Sequence, residues 1–136
     1  MLGAVMDSSP AELGRRASAV LAAREARANL DAMRAAGSDV HYYSLDVQDR
    51  AALETALADI RTRFGAITAL VHGAGVIADR KLAEKTPAQF DSVFDTKVLG
   101  AMRLLEATDA DPVRVLVFFS SVAARGGNPG QVDYAA

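Results

Sequence analysis

The spacing of hydrophobic residues along the chain changes several times between a helical and a strand period. In several blocks, apolar positions recur every three or four residues among charged ones, which is the pattern of amphipathic helices. These predicted helices cover residues 11–36, 51–64, 80–85 and 86–108. Short, mostly apolar runs with the length of buried strands lie between the helical blocks. These predicted strands cover residues 40–47, 67–72 and 113–119.

Residues that start and stop helices flank these blocks. The run D-S-S-P at 7–10 supplies side-chain caps and a first-turn proline, and T-P at 86–87 repeats that arrangement. Gly37 and Gly65 follow the first two helices, where a left-handed residue commonly ends a helix. Asp49 is expected to cap the second helix. Because helices alternate with apolar strands, the sequence predicts an α/β layered domain with a parallel sheet.

The composition is that of an ordinary globular domain. The 136 residues are 51% hydrophobic and 24% charged with a net charge of −2, so neither a nucleic acid nor an anionic membrane is an expected partner. No cysteine is present, which excludes disulfides, thiolate metal sites and cysteine nucleophiles. The two histidines, His41 and His72, are too few for a metal cluster. No apolar run approaches the roughly 18 residues that cross a bilayer, and residues 1–7 lack the features of a signal peptide. A cytoplasmic protein without a bound metal is therefore expected.

Two serines and a tyrosine after the last predicted strand suggest carbonyl chemistry. Ser120 and Ser121 follow the apolar run at 113–119, and Tyr134 comes thirteen residues after Ser121. A ketone that accepts hydride develops negative charge on its oxygen, so it needs a proton donor and a second hydrogen-bond donor beside it. A tyrosine has an unperturbed pKa near 10, so a neighbouring cation must favour its phenolate; Lys97 is the candidate. The alternative is that the serines merely end a strand and the tyrosine is half-buried packing.

Small residues follow the middle predicted strand. Residues 72–75 read H-G-A-G, and the backbone of Gly73, Ala74 and Gly75 leaves space for a flat ring or a ribose to approach closely. A plain turn between a strand and a helix is the alternative interpretation of the same residues.

An acidic residue ends the first predicted strand. In the run L-D-V-Q-D at 45–49, Asp46 is placed to accept a hydrogen bond from an adenine amino group. The alternative is a role in capping the following helix, which Asp49 is already expected to fill.

Together these segments resemble the short-chain dehydrogenase/reductase superfamily, and more narrowly the ketoreductase domains of polyketide and polyunsaturated fatty acid synthases. The resemblance rests on V-H-G-A-G-V-I-A-D at 71–79, F-D-T-K-V-L-G at 94–100 and F-F-S-S-V-A-A-R-G-G-N-P-G-Q-V-D-Y-A-A at 118–136. Lys97 precedes Ser121 by 24 residues, which fits the ketoreductases. Many other members of the superfamily instead carry the catalytic lysine shortly after the tyrosine.

The resemblance implies a role for each catalytic candidate. Tyr134 would donate a proton to the β-keto oxygen, and Ser121, with Ser120 as its neighbour, would hold that oxygen. Lys97 would favour the phenolate form and help to place the cofactor. Asp79 falls on the last residue of an L-D-D motif that in such domains accompanies R-configured hydroxy products; this chain reads I-A-D, a partial match.

The resemblance also implies that the cofactor is NADPH. Asp46 and Val47 would line the adenine pocket, residues 73–75 would pass beside the ribose, and Lys97 and Ser120 would complete the cofactor contacts. The substrate would be a β-ketoacyl thioester on an acyl carrier protein, which an oxidoreductase of this family reduces to the β-hydroxyacyl product.

Several parts of the family pattern are absent from this sequence. No G-x-G-x-x-G occurs, so the pyrophosphate-binding turn and the first strand are missing, as are the second strand and the last ones. The expected fold is a partial Rossmann-type domain, a doubly wound parallel sheet without those strands. In the family order 3-2-1-4-5-6, the missing strands separate 40–47 from 67–72 and leave their backbone unpaired. Residues 1–136 are therefore predicted to be an internal fragment of a ketoreductase domain that needs the missing portions of the same synthase and is inactive alone.

Two other classes of function stay open. The first is a non-catalytic α/β binding or interaction module that retains part of a nucleotide pocket. The second is an unrelated three-stranded flavodoxin-like domain, which leaves the spacing of Lys97, Ser121 and Tyr134 unexplained.

Overall fold

The computed structural model describes residues 9–136, which form two compact units. The first unit ends at Tyr42 and the second begins at Tyr43. Residues 1–7, which were expected not to be a signal peptide, and the caps predicted at Asp7 and Ser8 lie outside the described residues.

The first unit contains one long helix, α1 (Pro10–Ala35). It begins where the sequence predicts, because the Ser9 side chain accepts a hydrogen bond from the Glu12 amide at 3.2 Å and Pro10 occupies the first turn. Gly37, with φ +90°, follows its C-cap, and the amides of Gly37 and Ser38 close the last turn on carbonyls of the helix. Both predicted ends of this helix are confirmed.

The second unit contains the remaining helices. Helix α2 (Arg50–Phe64) is capped by the Asp49 side chain, as predicted, and ends at Gly65. A 3₁₀ turn (Leu82–Glu84) and the long helix α3 (Pro87–Ala107) correspond to the two parts of the third predicted block. Helix α3 starts with a reciprocal capping box between Thr86 and Gln89. Two single-turn helices follow: α4 (Ala123–Gly126) and α5 (Val132–Ala135).

The sheet has two parallel strands among the described residues. Strand β1 (Ala69–His72) pairs with β2 (Val115–Phe118), and the register runs from Ala69 opposite Val115 to His72 opposite Phe118. Helix α3 connects the two strands, so the chain forms a β-α-β unit. An α/β fold with a partial Rossmann-type sheet is thereby confirmed.

The core of the second unit lies between α2 and α3. Leu53, Ala56 and Leu57 of α2 and Val93 of α3 are buried. At Gly100 of α3 an added side chain would force its neighbours to shift, because a Cβ atom there would lie 2.8 Å from Val47 Cγ2 and 3.3 Å from His72 Cε1.

An ion pair fixes the far end of these helices. The Arg61 guanidinium donates to Asp111 Oδ2 at 2.6 Å and to the Ala107 carbonyl at 2.6 Å, and the Ile67 amide donates to Asp111 Oδ1 at 3.1 Å. The hydrogen bond from Arg61 holds the pKa of Asp111 below its ordinary value, against the opposing effect of its burial. The pair thus anchors α2 to the turn that enters β2.

The predicted strand at 40–47 is wrong. Among the described residues, this segment forms no ladder with β1 or β2, and residues 47–48 turn towards α2. An apolar run becomes a strand only when a neighbouring strand accepts and donates its backbone hydrogen bonds. In the family sheet order, two missing strands lie between 40–47 and β1, so residues 40–47 have no neighbouring strand with which to pair. Among the described residues, only β1 and β2 are paired.

The strands leave apolar surface exposed. Val71 is 59% exposed, and every residue of β2, from Val115 to Phe118, is at least 40% exposed. Parallel sheets are ordinarily covered on both faces, so this sheet has room for further strands and covering helices. Within residues 9–136, the helices do not combine the length and apolar character that crossing a membrane requires.

Candidate active site

The candidate site lies at the carboxyl ends of the two strands. His72 and Phe118 end β1 and β2 directly opposite each other, so the loops that follow them leave the same edge of the sheet. The His72 ring bonds to the Lys97 carbonyl through Nε2 at 3.0 Å, which ties α3 to this edge. Open α/β sheets bind ligands outside the carboxyl ends of their strands.

Lys97 projects from α3 towards the loop after β2. Its Nζ donates a hydrogen bond to the Phe119 carbonyl at 3.1 Å, and the same Nζ lies 5.2 Å from the centre of the Tyr134 ring. A cation over an aromatic face at this distance is attracted by the ring. The two residues that the sequence singled out as cation and proton donor are therefore neighbours.

Ser121 lies two residues before α4, and Tyr134 lies in α5. The Ser121 hydroxyl oxygen accepts a hydrogen bond from the Ala123 amide at 3.2 Å, at the start of α4. Tyr134 is half-buried in α5, which packs against both α3 and α4. Ser120 is exposed beside them. The structure thus brings Tyr134 beside Lys97 and places Ser121 just before the helix that packs against α5.

The glycines after β1 border this site. A Cβ atom on Gly75 would lie 3.4 Å from Lys97 Cε, and one on Gly73 would lie 3.4 Å from the Phe119 ring. Because Gly75 has no side chain, its backbone stays accessible next to Lys97. Ala74, between the two glycines, is half-buried. This arrangement fits the sugar and ring at one end of a dinucleotide. The glycine turn that would hold the pyrophosphate is not in the sequence.

Of the two residues predicted to line an adenine pocket, Val47 packs against α3 and Asp46 lies in the turn before α2. Asp46 is exposed, and its Oδ1 accepts a hydrogen bond from the Gln48 amide at 2.8 Å. The Gln48 side chain donates to Thr96 Oγ1 at 3.0 Å, and Val47 packs over Gly100. The side chain that caps α2 is that of Asp49 and not that of Asp46. The alternative interpretation of Asp46 as the helix cap is therefore wrong.

Sequence reasoning missed a buried ion pair next to Tyr134. Lys85 Nζ donates to Asp133 Oδ2 at 2.5 Å, and both side chains are almost fully buried. The sequence offered little indication of this pair, because Lys85 and Asp133 each lie among residues typical of a protein surface and are 48 positions apart. An aspartate immediately before the tyrosine was the one available clue.

Asp79 also contacts the segment before Tyr134. Its Oδ2 accepts a hydrogen bond from the Gln131 side chain at 2.9 Å, and the Arg80 amide donates to the Gly130 carbonyl at 2.9 Å. Across residues 9–136, no group of three or more potential metal ligands comes together.

Comparison with known proteins gives a consistent family. The family model described as "KR domain" matches residues 2–136. One polyunsaturated fatty acid synthase polypeptide, from Thraustochytrium sp., is 37% identical over 128 residues, which is 93% of this chain and 5% of that protein.

Solved structures of ketoreductases share the fold. A ketoreductase domain from the bacillaene assembly line is 38% identical with a TM-score of 0.76, covering 80% of this chain and 26% of that one. The ketoreductase from the first module of phoslactomycin biosynthesis in Streptomyces sp. HK803 is 31% identical with a TM-score of 0.72, covering 78% of this chain and 24% of that one. The chain therefore spans about a quarter of the length of these two solved ketoreductases.

Proposed function

The chain belongs to the KR domain family of ketoreductases, and from this membership we propose that it supplies the catalytic residues for reduction of a β-ketoacyl thioester. KR domains are reductases that depend on a nicotinamide cofactor. The proposed substrate is a chain carried on an acyl carrier protein, as in polyketide and polyunsaturated fatty acid synthesis. The observation that carries the proposal is the 5.2 Å approach of Lys97 Nζ to the Tyr134 ring beside the carboxyl ends of two parallel strands.

The chemistry divides between the cofactor and this chain. When bound, the cofactor supplies the hydride that adds to the carbonyl carbon. The Tyr134 hydroxyl gives its proton to the carbonyl oxygen, so the ketone becomes a secondary alcohol. Ser121 donates a hydrogen bond to the same oxygen as negative charge develops on it. The Lys97 ammonium stabilises the phenolate that Tyr134 leaves.

The proposed cofactor is NADPH. Gly73, Ala74 and Gly75 offer a bare backbone beside Lys97 for the ribose of the nicotinamide half. Asp46 and Val47 would contact the adenine half, and Ser120 would lie against the cofactor at the end of β2. All of these residues belong to the second unit of the chain.

The proposed partner is the remainder of a ketoreductase domain from the same synthase. The exposed apolar residues of β1 and β2 and the missing pyrophosphate turn both indicate that further strands complete the sheet and the cofactor site. The chain alone is expected to be inactive, because it lacks the glycine turn that would hold the cofactor pyrophosphate. Its expected location is the cytoplasm.

Thermal melting with and without NADPH tests the proposal. The chain is compared alone and mixed with a segment that carries the first two and the last strands of a ketoreductase domain. The proposal expects NADPH to raise the melting temperature of the mixture and not of the chain, since a ligand stabilises only the state that binds it. A mixture that folds cooperatively and yet is insensitive to NADPH would favour a non-catalytic α/β interaction module instead.

A further inference from the structure

A buried ion pair lies immediately before the candidate proton donor. Lys85 Nζ donates to Asp133 Oδ2 at 2.5 Å and to the Ala78 carbonyl at 2.9 Å. Only 3% of the Lys85 side chain and 1% of the Asp133 side chain is exposed. Removing two charges from water costs free energy that their attraction recovers only with good geometry. The pair is therefore a poor choice for stability alone.

The pair is one of three links between the same two segments. The Arg80 amide donates to the Gly130 carbonyl, and the Gln131 side chain donates to Asp79. Residues 78–85, which follow the glycines after β1, thereby contact the segment 130–133 at Gly130, Gln131 and Asp133. Of the three links, only the ion pair is buried.

The Asp133 carboxylate connects this contact to Tyr134. Its Oδ2 faces Lys85, while its Oδ1 accepts a hydrogen bond from the Tyr134 amide at 3.0 Å. Helix α5 has four residues, and a single isolated turn is not stable by itself. The direction of the Tyr134 side chain must therefore be set by what its short helix is anchored to.

We propose that Lys85 and Asp133 are positioning residues that hold Tyr134 beside Lys97. In this role both residues act through the backbone of α5 and not on the substrate. The inference rests on the proposed function only in that Tyr134 is taken as the proton donor. The geometric claim concerns Tyr134 and Lys97 alone, so it is tested without cofactor or substrate.

The test uses variants of the full, isotope-labelled chain. For each variant, thermal melting reports whether the chain folds, and a nuclear Overhauser cross-peak reports whether Lys97 still lies beside Tyr134. The double variant Lys85→Met/Asp133→Leu removes both charges without orphaning either, a change that buried pairs often tolerate. We expect it to keep a cooperative melting transition but to lose the nuclear Overhauser cross-peak between the Lys97 side chain and the Tyr134 ring. The matched control, Arg50→Met/Glu54→Leu, removes an exposed ion pair on α2 and should keep the cross-peak.

Persistence of the cross-peak in the folded double variant would overturn the proposal. If that variant does not melt cooperatively, Lys85→Met/Asp133→Asn gives the same comparison, because it leaves no buried charge unpaired and its amide keeps an oxygen for the Tyr134 amide. Loss of the cross-peak in a folded Lys85→Met/Asp133→Asn chain supports the positioning role. Its retention, or global unfolding of both variants, would show instead that the pair serves the fold as a whole. A reductase assay that fails leaves this result intact, so the two proposals fail separately.

Discussion

The Lys97 ammonium lies 5.2 Å from the centre of the Tyr134 ring and donates a hydrogen bond to the Phe119 carbonyl. One residue comes from the middle of a long helix and the other from a single helical turn. The lysine thus links α3, the end of β2 and α5 at one point. In the proposed mechanism, a carbonyl group at that point would meet both a proton donor and the cation that stabilises the resulting phenolate.

The close packing of α3 on the segment before α2 predicts that Gly100→Ala is destabilising. The added methyl would lie 2.8 Å from Val47 and 3.3 Å from His72, and overpacking of this kind costs about 1–3 kcal/mol. Its gain in helix propensity is about 1 kcal/mol, so the net effect should be a loss. Chemical denaturation measures the difference.

Gly14→Ala is the matched control for that substitution. Gly14 lies in α1, and a Cβ atom there would meet nothing within 4 Å. The alanine should therefore increase helix content by circular dichroism. Equal stabilisation by both alanines would contradict the packing described around Gly100.

The Arg61–Asp111 ion pair predicts a loss of stability in acid. Arg61 lowers the pKa of Asp111 in the folded chain below the value of about 3.9 for a free aspartate. The pair therefore contributes fully above that unfolded value, and its contribution disappears as the pH falls through the lower folded value. The melting temperatures of the wild type and Asp111→Asn should differ clearly near neutral pH and converge as the pH falls well below the unfolded value.

An exposed carboxylate provides the control for this pH dependence. Asp91 lies on the exposed face of α3, and Asp91→Asn should change the melting temperature little at any pH. If the melting temperatures of the wild type and Asp111→Asn differ by the same amount down to the lowest pH, the claim that an ionised Asp111 stabilises the fold is contradicted.

The exposed strands predict that the isolated chain binds hydrophobic dyes. Val115 and Val117 are 52% and 40% exposed on β2, so 8-anilinonaphthalene-1-sulfonate should fluoresce strongly with the chain alone. Adding the segment that completes the sheet should remove the signal, because both faces become covered. Val117→Glu should block this loss; a loss unaffected by the glutamate would mean that the segment binds elsewhere.

The parts of the fold that sequence predicted well are those with local causes. Ser9, Asp49 and Thr86 cap helices through contacts within three residues, so their roles are visible in the sequence. The strand at 40–47 was mispredicted because pairing depends on a partner elsewhere in the chain, which an apolar run does not reveal.

The same distinction applies to the site. Lys97, Ser121 and Tyr134 were recognisable because their spacing matches a family, and the structure brings the lysine and tyrosine together. The Lys85–Asp133 pair was not recognisable, because charged residues usually lie at the surface and nothing local marks these two as buried.

Turnover of a simple ketone tests the central claim most directly. NADPH oxidation with trans-1-decalone or a β-ketoacyl thioester is followed for the chain alone, for the chain completed by the remaining strands, and for the completed Tyr134→Phe variant. The account predicts activity only in the completed wild-type assembly, with a loss on removing the tyrosine hydroxyl of about 10²-fold or more. Robust Tyr134-dependent turnover by the chain alone, or undiminished turnover by the completed Tyr134→Phe variant, would contradict it.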